Sequence, residues 1–145
     1  MVKHIWSVLC QSSTIDQDDN SLSLSNVLDT INIKLKDKRR KLVKFAIPLN
    51  FEVVSLLSKS DLKSEEKVQI KVAILNAAMD KLGDFRASVV IPADKKRMRS
   101  RIKMSGLPIK GEGDYVVLVG MKTEKDKEFR NIAELPFEVK FVKEQ

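Results

Sequence analysis

Lys67-Val68-Gln69-Ile70-Lys71-Val72-Ala73-Ile74 decides the fold, because an apolar side chain recurs at every second position with Lys, Gln, Lys and Ala between. A helix gathers residues three and four apart onto one face. Only a strand sorts every second residue, sending one set into a core and the other toward water. The same period recurs outward from this stretch. Met98, Ser100, Ile102 and Met104 oppose Arg99, Arg101 and Lys103, while Phe137, Val139 and Phe141 oppose Glu138 and Lys140. Phe45, Ile47, Leu49, Phe51 and Val53 share a parity, as do Phe85, Ala87, Val89 and Ile91 before Pro92, and Tyr115, Val117, Val119 and Met121. Residues 4–14 are apolar on both parities, which predicts a central or covered strand. Between Ser21 and Leu35 the apolar parity changes, from Leu22 and Leu24 to Ile31 and Ile33, so a bulge or single helical turn is expected near Asn26 to Asp29.

About eight short strands with turn-rich links predict an all-β protein, an immunoglobulin-like two-sheet antiparallel β-sandwich. The one segment read as helical is Asn76–Leu82, one or two turns long, with Gly83 as its C-cap. The chain has 145 residues and is expected to form a single domain over 1–145. A chain of this size buries about 70% of its unfolded surface and needs no staples. Its one cysteine, Cys10, permits no internal disulfide, which fits a reducing compartment. Met1 to Val8 carries one Lys and no long apolar run ahead of a small-residue cleavage site, so a cytoplasmic location is expected. No stretch approaches the ~18 apolar residues of a membrane span, and no membrane partner is expected. The formal charge of +7 comes from 20 Lys and 7 Arg. Lysine-rich charge speaks for solubility first and for phosphate reading only weakly.

Glu112-Gly113-Asp114-Tyr115-Val116-Val117 is the most specific local signal. An acidic residue, a glycine and then Tyr at the head of an apolar strand resembles the tyrosine corner of immunoglobulin-like sandwiches, with Gly113 and Tyr115 as its structural residues. In that motif the hydroxyl bonds back to the chain and pins a crossover between sheets. The paired cysteines and the strand-C Trp of antibody domains are absent, so the likeness is one of architecture.

Trp6-Ser7-Val8-Leu9-Cys10, then Ser23-Leu24-Ser25-Asn26-Val27-Leu28-Asp29, the Gly-x-Tyr strand and Leu135-Pro136-Phe137 together resemble an uncharacterised bacterial family of small stand-alone domains. The resemblance implies a bacterial cytosolic β-sandwich and supplies no functional residues, since its motifs are hydrophobic and turn positions.

Several chemistries lose their residues. His4 and Cys10 lie six positions apart on one strand, roughly 20 Å between Cα atoms, too far for a thiol–imidazole dyad. No Gly-x-Ser-x-Gly elbow exists, and a Ser-His-Asp triad would have to use His4. Cys10 is read as a small buried hydrophobe. One Cys and one His cannot close a zinc site. Asp16, Asp18 and Asn20 have the first spacing of a calcium loop, but Ser21 and Val27 stand where its Gly and Glu belong, so a polar hairpin turn is expected. Gly111-Glu112-Gly113 leads into a strand and carries carboxylates, unlike a phosphate loop. No catalytic, metal or cofactor residues are assigned, no cofactor or small-molecule ligand is implied, and the chain is not expected to be an enzyme.

Two surfaces remain. One is basic: Arg97, Arg99, Arg101 and Lys103 form a ridge on one strand, and Arg39 and Arg40 lie in a Lys-rich turn. Together they could track a polyanion or nucleic acid, although charges outside a strand also protect sheet edges and stacking aromatics are few. The other is apolar: Val54-Ser55-Leu56-Leu57 and the first strand carry apolar groups on both parities, leaving a face to be covered by the 76–82 segment, by loops or by a partner. The expected function is a non-catalytic protein-interaction module, self-associating or binding another protein, with nucleic-acid or polyanion binding as the alternative.

Overall fold

A computed structural model describes residues 1–34 and 44–142. The described residues form nine strands and no helix: β1 (Val2–Ile15), β2 (Leu22–Val27), β3 (Thr30–Lys34), β4 (Lys44–Lys59), β5 (Glu66–Asn76), β6 (Lys81–Ile91), β7 (Arg97–Lys110), β8 (Gly113–Thr123) and β9 (Arg130–Val142). They make two sheets, sheet A in the order β2-β1-β4-β7 and sheet B in the order β3-β9-β8-β5-β6. This is an immunoglobulin-like sandwich. β4 beside β7, and β6-β5-β8-β9, repeat the neighbourhoods of strands B, E and C′-C-F-G. β1 stands between β2 and β4 in the four-stranded sheet A.

The core follows the alternation. Val68, Ile70, Val72 and Ile74 are fully buried on β5 and pack with Phe51, Val53 and Leu57 of β4 and with Val117 and Val119 of β8. Each such side chain contributes about 1.5–3 kcal/mol relative to exposure. On β7 the inward parity shifts from Ile102 and Met104 to Leu107 and Ile109. Gly106, at φ 84°, provides the kink, opposite a register shift between Ile47 and Asn50 of β4.

Three features depart from the expectation or refine it. All pairings are antiparallel except β3 with β9, which is parallel. The change of parity before Thr30 is a change of sheet: Leu28 N–H donates to Leu9 O in sheet A, and Glu138 N–H donates to Asp29 O in sheet B, with Asn26 at φ 54° ahead of the crossing. The Asn76–Leu82 segment is no helix but the β5–β6 hairpin. Its Ala and Met favour helix, but the Asn76 carbonyl accepts from Met79 N–H and the Asn76 Oδ1 accepts from Asp80 N–H, closing a tight turn with Met79 at φ 65°. Gly83 is therefore no C-cap; it lies in β6 where Pro108 of β7 approaches so closely that a Cβ would meet its Cγ at 2.9 Å.

Between β7 and β8 the chain passes from sheet A to sheet B. Tyr115, at the head of β8, places its hydroxyl 2.8 Å from Lys110 N–H, which donates to it, and 2.6 Å from the carbonyls of Lys110 and Gly111, which accept from it. Gly111 and Gly113 hold positive φ angles of 79° and 130° in this crossover.

Candidate functional site

The apolar outer face of sheet A is covered by its own first hairpin. β1 pairs with β4 only as far as Cys10–Glu52, while Cys10–Ile15 continues paired with β2 as a two-stranded arm. The arm crosses over β4 and reaches β7. The Arg99 guanidinium donates to Asn20 O at 2.8 Å, and that of Arg101 lies 3.4 Å from both Ser13 O and Ser13 Oγ. Ser13 Oγ also donates to the Glu52 carboxylate. Val54 and Cys10, both outward-facing, are fully buried beneath it. The cover expected from a helix or loops is thus a strand pair.

At the arm's tip Asp16 spends its carboxylate on the amides of Asp18 and Asp19, and Asp19 accepts from Ser21 N–H. The Ser21 amide, with the Ser21 hydroxyl, holds the Asp19 carboxyl below the usual carboxylate range. Asn20 takes φ 59°, a turn conformation that Asn tolerates. The acidic spacing therefore builds an Asx-turn. Among the described residues no group of three or more His, Cys, Asp or Glu side chains converges to hold a metal ion.

Where the arm stops short, a groove of about 810 Å³ opens onto the sheet. Trp6 and Leu56, cross-strand neighbours, form its floor. Leu22 and Leu24 of the arm make one wall, and Arg97 and Lys95 stand on the opposite rim beside Arg99. The volume lies within the range of ligand sites, and an apolar floor with a few placed charges is their usual composition.

The ridge residues thus divide in role. Arg97 is on the groove rim, Arg99 and Arg101 latch the arm, and Lys103 is exposed beside Glu52 in register. Arg39 and Arg40 lie outside the described residues. The groove was not visible in the sequence. Its one signal was Trp6, the only tryptophan, on a strand apolar on both faces.

Cys10 is buried, and that burial together with the negative charge of Glu52 pushes its thiol up. His4 faces the interior, where its Nε2 lies 2.7 Å from Ser7 Oγ, which is 2.7 Å from Ser55 Oγ. Ser100, in register with Ser55, has a buried hydroxyl without a partner. Burial pushes His4 below its ordinary value, with the Trp6 backbone acting the other way. Among the described residues no carboxylate bonds this imidazole. A polar row inside the sandwich is what this arrangement makes.

The class that fold and site define is a two-sheet all-β sandwich with a covered outer face and an open, cation-rimmed groove. Compared with known proteins, the chain matches no family model and no curated relative. No helix among the described residues is long and apolar enough to cross a membrane.

Proposed function

We propose that this chain is a non-catalytic interaction module that seats an acidic, apolar-anchored peptide segment of a partner protein in the Trp6 groove. One observation carries the reading: a solvent-open apolar floor, Trp6 and Leu56, directly beside three cations, Lys95, Arg97 and Arg99. Aromatic anchors in concave sites supply much of the energy of peptide recognition, and rim charges steer partners of opposite sign. The net charge of +7 acts in the same direction at longer range. Arg99 has guanidinium donors left after bonding Asn20, since the fork carries five. The polyanion reading through the β7 ridge ranks lower, because Arg101 is held against the arm and Lys103 stands in register with Glu52. On its resemblance and its lone buried thiol we place the protein in the bacterial cytosol.

Titration of Trp6 fluorescence with a short peptide of Leu and Phe spaced by Glu and Asp tests this. A blue shift that salt weakens, and that Leu56→Glu abolishes while the far-ultraviolet spectrum is kept, is the expected result. No shift, or an equal shift with a Lys-substituted peptide, rejects it. Light scattering at rising protein concentration separates a foreign partner from a second copy in the same groove.

A further inference from the structure

The outward face of sheet B carries a second cationic site with a different construction. Register fixes its grid. Arg86 of β6 lies beside Lys71 of β5, and Lys71 lies beside Gly120 of β8. One row along, Ser88, Gln69 and Lys122 follow in the same order. Gly120 has no side chain, and Phe129 from the β8–β9 loop lies over it; a Cβ at 120 would already touch the Phe129 Cβ at 3.5 Å and its ring Cδ1 at 3.7 Å. The ring gathers three cations about itself: Arg86 Cζ at 5.5 Å from its centroid, and Lys71 Nζ and Lys122 Nζ each at 5.8 Å.

Like charges held this close repel, and the ring's quadrupole offsets only part of that repulsion. Nearby carboxylates make their hydrogen bonds elsewhere, while Asp84 acts on Lys71 and Arg86, and Asp126 on Lys122, only through space. Asp84 accepts from Lys81 Nζ at 3.0 Å, Asp126 accepts from Thr123 N–H and Oγ1, and Glu124 lies 3.9 Å from Lys67. Among the described residues none of the three clustered cations has a carboxylate within 4.0 Å. The recess of about 400 Å³ beside them, where Gln69 and Ser88 lie between Lys67 and Lys122, is lined also by Glu124 and Asp126, so the anion site is confined to the three cations at the ring.

We propose that Lys71, Arg86 and Lys122, arranged around Phe129, bind consecutive phosphoryl groups. A guanidinium fork and two ammonium groups match the several oxygens of a phosphoryl anion with charge-assisted hydrogen bonds. The chemistry is shared by a free oligophosphate and a single-stranded nucleic-acid backbone. The site stands on the opposite sheet from Trp6 and is independent of the peptide reading.

Calorimetric titration with tripolyphosphate, and anisotropy with a labelled oligothymidylate, test it and tell the two sources apart. Binding of either probe is expected, weakened about tenfold for each of Lys71→Gln, Lys122→Gln and Arg86→Gln. Phe129→Leu, which keeps the apolar contact and removes the quadrupole, should weaken it by about threefold. Trp6 emission should stay unchanged on binding. Absence of binding to both probes overturns the proposal. So does a Trp6 response, or an equal loss in Lys110→Glu at the other end of the sandwich, which would reveal only general charge attraction.

Discussion

Replacing Tyr115 by Phe isolates one hydroxyl. The ring is buried and stacks on Phe137 with centroids 5.2 Å apart and planes at 18°, and Phe preserves that packing. What is lost is the bond accepted from Lys110 N–H at 2.8 Å and one hydrogen shared between the carbonyls of Lys110 and Gly111, each at 2.6 Å. Burial pushes this phenol up, so the hydrogen is present throughout the working pH range. Two net hydrogen bonds are worth about 1 kcal/mol each. The freed groups lie at an exposed crossover where water replaces part of the loss, so the further penalty of an unpaired buried donor does not apply in full. The expected destabilisation is about 2 kcal/mol, which for a domain of this size lowers Tm by about 4–8 °C. Urea unfolding, followed by Trp6 fluorescence and by circular dichroism, should show a lower midpoint with an unchanged slope. A loss below about 0.5 kcal/mol would mean that the hydroxyl pins nothing. A changed slope would mean that the substitution altered the packing as well.

Two further predictions concern half-buried His4 and buried Cys10, on opposite faces of sheet A. Burial lowers His4 in the folded state, so the unfolded chain binds more protons between the folded value and the ordinary 6.5. Stability is therefore complete above pH 6.5 and falls as pH drops through that window. In His4→Gln this part of the pH dependence disappears from urea midpoints, and an unchanged profile refutes the assignment. Cys10, raised and covered by the arm, should react with a neutral maleimide far more slowly than a free thiol at pH 7.5 and at the full free rate in urea; rapid labelling of the native protein would contradict the covered face.

How much was legible in the sequence depended on how local the deciding physics was. Val68 to Ile74 announced β5 because each residue's face is set by its own parity, and Glu112 to Tyr115 announced a crossover because the hydroxyl bonds only four and five residues back. The 76–82 segment misled for the complementary reason. Its Ala77, Ala78 and Met79 favour helix by only tenths of a kcal/mol, about 0–0.5 each. Two strands already in register leave four residues between them, and that constraint wins. The arm and the Phe129 cluster were invisible because they rest on distant pairings. Arg99 and Asn20 are 79 residues apart. Phe129 looks like any apolar loop residue until the registers of β5, β6 and β8 bring three cations to it.

The same distinction explains why a strand that reads as a charged ridge serves as a seat. β7 sends Arg99 and Arg101 outward, yet its neighbour β4 sends Val54 and Leu56 outward from the paired positions. No single solvent suits both rows: water leaves the apolar row exposed, and an apolar cover strands the guanidiniums. The β1–β2 arm meets both demands with different parts of itself. It lays its body over Val54 and Cys10 while backbone carbonyls of Ser13 and Asn20 receive the guanidiniums. Carbonyls carry no formal charge, and Asp16 and Asp19 at the arm tip spend their carboxylates on the turn's own amides, so the guanidiniums keep donors for a further acidic group at the groove. Trp6 and Leu56 lie where the arm ends, apolar and still open, beside guanidiniums that bond carbonyls of the arm rather than its carboxylates. An occupant that completes the face must bring both a hydrophobic anchor and negative charge, which is the chemistry the peptide titration supplies.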